Sequence, residues 1–161
     1  MPTTYVGSEM TPIYSLTEAS LKKTGRDMRV LPKTVIYDSR LTVSLPASLS
    51  VTSGINAIAH AAEGLYAQDA NPVVSLMAEE GIRALAQGIG RVVVKPDDLD
   101  TRSDCLYGAW LCGAVFGSVG MSLHHKLCIR SAARSICRML RRTRSFCRTR
   151  SRTTAMRRPM R

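Results

Sequence analysis

The chain has 161 residues, of which 45% are hydrophobic, and a formal net charge of +11. On average these values describe one soluble, strongly basic domain. All of the excess charge lies beyond Cys128: residues 129–161 contain 12 arginines and no lysine, acidic residue or glycine, whereas residues 1–128 hold 11 basic and 12 acidic residues. This distribution excludes a uniformly basic domain and indicates that two unlike sequences are joined at Cys128.

Little regular structure is predicted before residue 45. The segment from Pro2 to Glu9 is rich in Thr, Gly and Ser and has the composition of a loop. Thr34 to Tyr37 is a short run of residues that favour a β-strand. Leu45-Pro46 predicts the start of a short helix with proline in its first turn.

Three longer helices are predicted to follow as an antiparallel array. Ser53 is the expected N-cap of the first, which runs to about Ala67. Its apolar face is formed by Ile55, Ile58, Ala59 and Ala62.

Asn71-Pro72 opens the second helix, which runs to about Gly90. Asp97 and Asp98 interrupt the chain. The third helix runs from about Thr101 to Lys126, with Asp104 near its positive end. The apolar residues of the second helix are Val74, Met77, Ile82, Leu85 and Ile89.

The five cysteines are odd in number and form no C-x-x-C pair, and no secretory leader is recognisable at Met1. A reduced, cytoplasmic location is therefore expected. The stretch from Cys105 to Leu123 contains no charge and meets the length criterion for a single membrane span. Its four glycines and two serines fit a helix buried in a soluble core equally well, so no membrane partner is expected.

Asn56 and His60 are the first candidate site residues. They are four residues apart, so on a helix both side chains project from one face and could hold the same ion or substrate. Such a histidine is more often a hydrogen-bonded structural residue. His124 and His125 could approach His60 through helix packing, or could simply suit the negative end of a helix dipole.

Several motifs, in order and without a gap from Pro2 to Cys128, resemble the iron-type alcohol dehydrogenase family. The first is Pro2-Thr-Thr-Tyr-Val-Gly-Ser-Glu9, followed by Thr11, which is similar to a loop that borders the nicotinamide nucleotide in that family. The second is Leu31-Pro-Lys-Thr-Val-Ile-Tyr-Asp38, with Ser39 where proline is usual. The third is Ser53-Gly-Ile-Asn-Ala-Ile-Ala-His-Ala-Ala-Glu63, which resembles the family's first metal-ligand helix.

The resemblance implies a mainly α fold. Residues 1–44 would be a remnant of the family's α/β nucleotide-binding domain, and residues 45–128 an incomplete piece of its helical C-terminal domain, as in the dehydroquinate synthase-like fold. The phosphate-binding Gly-rich turn of intact relatives has no counterpart in the sequence. The chain alone is therefore expected to be an inactive fragment of an enzyme.

Within the family, Asn56, Tyr5, Met10-Thr-Pro-Ile-Tyr14 and Leu123-His-His-Lys-Leu-Cys128 look like the maleylacetate reductases. These enzymes reduce a carbon-carbon double bond of maleylacetate, giving 3-oxoadipate, with NADH or NADPH in the degradation of aromatic compounds. Most family members have Asp where this chain has Asn56. A carboxamide is a weaker cation ligand than a carboxylate, so a divalent iron or zinc ion is a doubtful cofactor.

Site residues follow from the resemblance residue by residue. Thr3, Thr4 and Ser8 would line the cofactor cleft. One of Lys22 and Lys23 would contact the ribose of the cofactor, and we predict that it is Lys23. Without the family motifs, a polar turn would explain the three hydroxyl residues. His60 and His125 match two histidine ligand positions, with Asn56 as a doubtful third ligand, and in a metal-free reductase they would orient or protonate a small-molecule substrate. Intact relatives are expected to be homodimers.

Residues 129–161 interrupt the resemblance. The family continues with a pattern like H-x-L-G-G-x-F-x-L-P-H. One permissible back-translation of Ile129 to Met139, with a single base restored before it, reads His-Pro-Leu-Gly-Gly-Ser-Phe-Asp-Leu-Pro-His. We therefore hypothesise that the arginine-rich tail is out of frame and cannot fold alone. A genuine basic arm for nucleic acid is the alternative, but Phe146 is its only aromatic residue and no nucleic-acid partner is expected.

Overall fold

Three helices make up most of the described structure. The computed structural model describes residues 1–18 and 21–120, which fall within one unit, Met1–His124. Two strands, β1 (Ile13–Glu18) and β2 (Leu21–Arg26), come first, and the helices α1 (Ala47–Leu65), α2 (Pro72–Val94) and α3 (Leu99–Ser118) follow. The prediction of a mainly α fold is confirmed.

The two strands form an antiparallel hairpin in which Ile13 lies opposite Arg26 and Ser15 opposite Thr24. The hydroxyl oxygens of Ser15 and Thr24 are 3.2 Å apart on its exposed face. No strand forms at Thr34–Tyr37, so that prediction was wrong. Extended residues need a partner strand to become a sheet, and in the described part of the chain the sheet has only the two strands of the hairpin.

Helix α1 corrects two predictions. A single helix runs through Ser53, so this residue is not an N-cap; its hydroxyl instead donates to the Leu49 carbonyl at 2.7 Å. The buried face is also different, since Ile55 is 56% exposed. Small residues let α1 approach its neighbours closely, and five of its six buried residues are small: Ser50, Gly54, Ala57, Ala61 and Gly64. Glu63 is the sixth.

Helix α2 begins as predicted, because the Asn71 side chain accepts a hydrogen bond from the Val74 amide at 3.0 Å and Pro72 occupies the first turn. It ends at Val94, four residues beyond the expected Gly90. Val74 and Leu85 are buried as expected, while Met77, Ile82 and Ile89 pack half-buried against the core.

Helix α3 begins at Leu99 with Asp98 as its N-cap, so the predicted interruption at Asp97 and Asp98 is present. Asp100, rather than Asp104, is the acidic residue of its first turn, and Asp104 instead faces Arg91 at 3.5 Å. The helix ends at Ser118, short of the predicted Lys126; residues 121–126 lie outside the described residues. Among the described residues no helix is long and apolar enough to cross a membrane.

Close helix contacts fix the order of packing. A Cβ added to Gly81 would lie 2.9 Å from Cys112 Sγ, and one added to Gly88 would lie 2.6 Å from Cys105 Sγ. Residue numbers therefore rise along α2 as they fall along α3, which confirms that these two helices are antiparallel. The core between the helices contains Ala57, Ala61, Val74, Ala78, Leu85, Val92, Cys105, Leu106, Ala109, Cys112 and Val115.

Candidate functional site

Asn56 and His60 project from one face of α1, as their spacing predicts. The Asn56 amide nitrogen is 3.1 Å from His60 Nε2. An amide nitrogen can only donate, so Nε2 is the acceptor and the proton of the neutral imidazole lies on Nδ1. The His60 ring also lies on Phe116 of α3, with 4.2 Å between ring centroids. Two neighbouring side chains thus restrict the orientation of the imidazole.

Glu63 follows one turn after His60 and is only 3% exposed. Glu63 is therefore buried, on the turn of α1 that follows the Asn56 and His60 pair.

The loop from Thr3 to Glu9 forms a wall of a cleft of about 360 Å³. Thr3, Thr4, Ser8 and Glu9 line it together with Met1, Pro2, Thr11, Ile13, Val30 and Pro32. Four hydroxyl residues and a carboxylate line this cleft and can donate to and accept from a polar ligand.

Glu9 is held in place by Tyr37, whose hydroxyl donates to the Glu9 carboxylate at 2.9 Å. Burial, the hydrogen bond and the negative charge of Glu9 together raise the pKa of Tyr37 well above its ordinary value. The phenol therefore stays protonated and remains a donor at physiological pH. The segment containing Tyr37, predicted as a strand, instead supports the cleft loop.

The same loop packs tightly against α3. Gly7 has φ 75°, a conformation that favours glycine. A Cβ on Gly113 would lie 2.4 Å from the Gly7 carbonyl oxygen, and a Cβ on Gly117 would lie 2.5 Å from the Met10 carbonyl oxygen. Only glycine at these two positions of α3 allows the loop backbone to come this close.

The structure thus brings two of the predicted site elements to the same part of the fold. Gly113 and Gly117 contact the loop, and Phe116 between them contacts His60. These contacts fall within about 6 Å along the axis of α3. His125, the side chains of Lys22 and Lys23, and the segment containing His124 lie outside the described residues and side chains.

The described residues do not by themselves form a metal centre. No group of three or more His, Cys, Asp or Glu residues lies together within residues 1–18 and 21–120. In addition, the Asn56 amide occupies the Nε2 acceptor that a cation would use. The donor set in the described part of the chain is one carboxamide and one imidazole, and the segment that contains His125 lies outside it.

Arg102, and its contact with Tyr5, support the site but were not predicted from the sequence. Both residues are fully buried, and Arg102 Nη1 donates to the Tyr5 hydroxyl at 3.0 Å across 97 residues of sequence. The available signal was weak: one arginine lies shortly before the charge-free stretch that begins at Cys105.

Comparison with known proteins agrees with this arrangement of a loop and three helices. The sequence profile described as Fe-containing alcohol dehydrogenase family, C-terminal, matches residues 50–135. Maleylacetate reductase from Burkholderia cepacia is 65% identical over 128 residues, which are 80% of this chain and 36% of that protein. The chain thus spans about a third of the length of this relative.

Solved structures show the same likeness. The crystal structure of maleylacetate reductase from Rhizobium sp. strain MTP-10005 has a TM-score of 0.79 and 55% identity, over 82% of this chain and 38% of that one. Maleylacetate reductase from Agrobacterium tumefaciens has a TM-score of 0.76 and 57% identity, over 79% and 36%.

The helical unit with a polar loop packed against its third helix thus matches the C-terminal domain of Fe-containing alcohol dehydrogenases. The chain belongs to the iron-containing alcohol dehydrogenase family.

Proposed function

We propose that the chain supplies part of the active site of an NAD(P)H-dependent reductase acting on maleylacetate or a similar unsaturated dicarboxylic keto acid. The observation that carries this proposal is the packing of the Thr3–Glu9 loop and of His60 against the same turns of α3. The relatives named maleylacetate reductase, at up to 65% identity, support the choice of substrate.

The nucleotide, when bound, supplies the hydride. The hydroxyls of Thr3, Thr4 and Ser8 would hydrogen-bond to it along the cleft they line, with Lys23 or Lys22 meeting its ribose. Glu9, fixed by Tyr37, would exclude a phosphate group from its own end of the cleft by charge repulsion. The loop therefore orients a polar but locally uncharged part of the cofactor.

His60 would orient the substrate and deliver the proton that accompanies hydride addition to a carbon-carbon double bond. Its contacts suit the orienting role, because Asn56 and Phe116 together restrict the imidazole. His125 would be the second histidine of the site. No step is assigned to a metal, since the Asn56 and His60 pair is already hydrogen-bonded.

The proposed partners are a small anionic substrate and, in the whole protein, a second copy of the chain. The substrate is proposed from the relatives named maleylacetate reductase, and the second copy from the family resemblance in the sequence. A cytoplasmic location agrees with Cys105 and Cys112, which are free thiols buried in the core.

A chimera tests the function. The matching 128-residue segment of the Burkholderia cepacia relative is replaced by residues 1–128 of this chain, and NADH and NADPH oxidation are followed with and without maleylacetate. We expect oxidation that depends on maleylacetate. A chimera that has the circular dichroism of the parent enzyme but no such oxidation would refute the proposal, and the parent enzyme is the positive control.

A further inference from the structure

Arg102 is a buried cation whose partners come from four parts of the chain. Its Nε donates to the Pro96 carbonyl at 2.9 Å, its Nη1 to Tyr5 Oη and Ser50 Oγ, both at 3.0 Å, and its Nη2 to the Leu45 carbonyl at 3.2 Å. The residue is 0% exposed. Four of the five guanidinium N–H groups are thus directed at partners.

Helix stability does not explain a cation at this place. Arg102 lies in the first turns of α3, where the helix dipole disfavours positive charge. Burying a guanidinium is also costly unless its donors are satisfied. The partners in the described part of the chain are two hydroxyls and two carbonyls rather than a carboxylate. The planar array of donors, more than the charge alone, therefore accounts for arginine here.

The network joins the cleft loop to the helix that carries His60. Tyr5 belongs to the cleft loop and is 0% exposed. Its backbone amide donates a hydrogen bond to Ser53 Oγ of α1 at 3.4 Å. Ser50, in the first turn of α1, shares the Nη1 group of Arg102 with Tyr5. The cleft loop and α1 are thus both hydrogen-bonded to one buried side chain.

We propose that Arg102 is a positioning residue that fixes the Thr3–Glu9 loop relative to α1, and so fixes the distance between the cleft and His60. The proposal deepens and rests on the proposed function. It assigns no chemical step to Arg102, which acts through Tyr5.

Amide hydrogen exchange of the full chain, resolved by peptide with mass spectrometry, tests the proposal. In Arg102→Met the exchange of peptides covering Tyr5–Met10 is expected to accelerate by about tenfold or more, because loss of hydrogen bonds of ordinary strength opens the loop locally. Peptides within α2 should keep the wild-type rate. Arg91→Met is the matched control, because Arg91 is an exposed arginine and should change neither set of peptides.

Two further variants keep the test decisive if Arg102→Met fails to fold. Tyr5→Phe removes only the hydrogen bond between Arg102 and the Tyr5 hydroxyl. This variant should accelerate exchange of the same loop peptides severalfold. Arg102→Lys keeps the charge but not the fork of donors, and should behave like the methionine variant rather than the wild type. Equal acceleration in the loop and in α2, or an unchanged loop in Tyr5→Phe, would overturn the proposal.

NADH binding separates this proposal from the function on which it rests. Titration of the chimera described above with NADH, followed by nucleotide fluorescence, is expected to show binding that Tyr5→Phe weakens. A chimera that does not bind NADH, although the parent enzyme does, counts against the proposed nucleotide role, and the exchange comparison then still decides the role of Arg102.

Discussion

Asn56 determines whether the polar face of α1 can bind a cation. Its amide nitrogen donates to His60 Nε2 at 3.1 Å, so the two side chains satisfy each other without an ion. A carboxylate at the same position could not donate, and would instead place a negative charge beside the imidazole lone pair. The identity of one residue thus changes the pair from a hydrogen-bonded unit into two potential ligands.

Replacing Asn56 by Asp is therefore expected to create affinity for zinc. We expect Asn56→Asp to bind Zn²⁺ at least about tenfold more tightly than the wild-type chain. A tenfold ratio requires about 1.4 kcal/mol, and the attraction between a carboxylate and a nearby divalent ion exceeds this energy. Calorimetric titration measures the affinity. Thr52→Asp, which adds a carboxylate to an exposed position one turn earlier on α1, is the control and should not change it. Equal affinity in both variants would show that position 56 does not matter for a metal.

At the scale of elements, the contact between the cleft loop and α3 depends on glycine. In Gly113→Ala the new methyl group would lie 2.4 Å from the Gly7 carbonyl oxygen, so backbone must move. We expect the free energy of unfolding to fall by about 1–3 kcal/mol, the usual cost of overpacking. Chemical denaturation followed by circular dichroism measures it.

Gly90→Ala is the matched control, because Gly90 is also helical and a Cβ there meets nothing within 4 Å. Alanine is the better helix former, so this variant should gain about 0.5–1 kcal/mol. A loss of stability in both variants would mean that the loop contact is not responsible.

The contact between α2 and α3, which buries Cys105 and Cys112, should protect these two thiols from alkylation. Burial raises the pKa of Cys105 from 9.0 to about 11 and that of Cys112 to about 12. The protonated thiols favour the folded protein below pH 9, and their contribution is lost as the pH rises towards the folded values.

At pH 8 the alkylation of Cys105 by iodoacetamide is expected to be roughly a hundredfold slower in the folded chain than in guanidinium, in line with its lower thiolate fraction. Peptide-resolved mass spectrometry gives the rate. Labelling of Cys105 at the unfolded rate would show that the contact between α2 and α3 opens freely.

Sequence patterns predicted the elements whose signals are local. The start of α2 was predictable because Asn71 and Pro72 cap it directly, and α3 because two aspartates precede it. The hairpin was missed since its pairing depends on residues up to 13 positions apart, as for Ile13 and Arg26. The buried face of α1 was wrong because close packing favoured glycine and alanine there, not the larger Ile55.

For the whole molecule, the abrupt change of composition at Cys128 calls for a genetic explanation. The alignment with the Burkholderia cepacia relative covers 128 residues, whereas the family profile extends to residue 135. We expect the coding DNA after Cys128 to contain an intact alternative frame with the two histidines and two glycines of the family pattern.

Sequencing across that codon, in genomic DNA and in the transcript, is the check. An alternative frame interrupted by stop codons would contradict the hypothesis. The arginine-rich segment would then have to be tested as a nucleic-acid arm, by the salt dependence of its DNA and RNA binding.

Motifs indicated the candidate site residues, but no pattern indicated the contacts that support them. Thr3, Thr4, Ser8, Asn56 and His60 followed from motifs, and spacing on a helix placed the last two together. The contacts that hold these groups are between distant segments: Tyr5 with Arg102, Glu9 with Tyr37, and His60 with Phe116. Such pairs leave no periodic signal, so only the folded structure reveals them.

The rate of maleylacetate reduction by the chimera carrying His60→Ala tests the account most directly. We expect kcat to fall by about a hundredfold or more, the usual contribution of a positioned proton donor, while Thr52→Ala on the exposed face of the same helix stays within about twofold, as is normal for a surface change. A His60→Ala chimera as fast as the Thr52→Ala chimera would contradict the assignment of His60 to the reaction site.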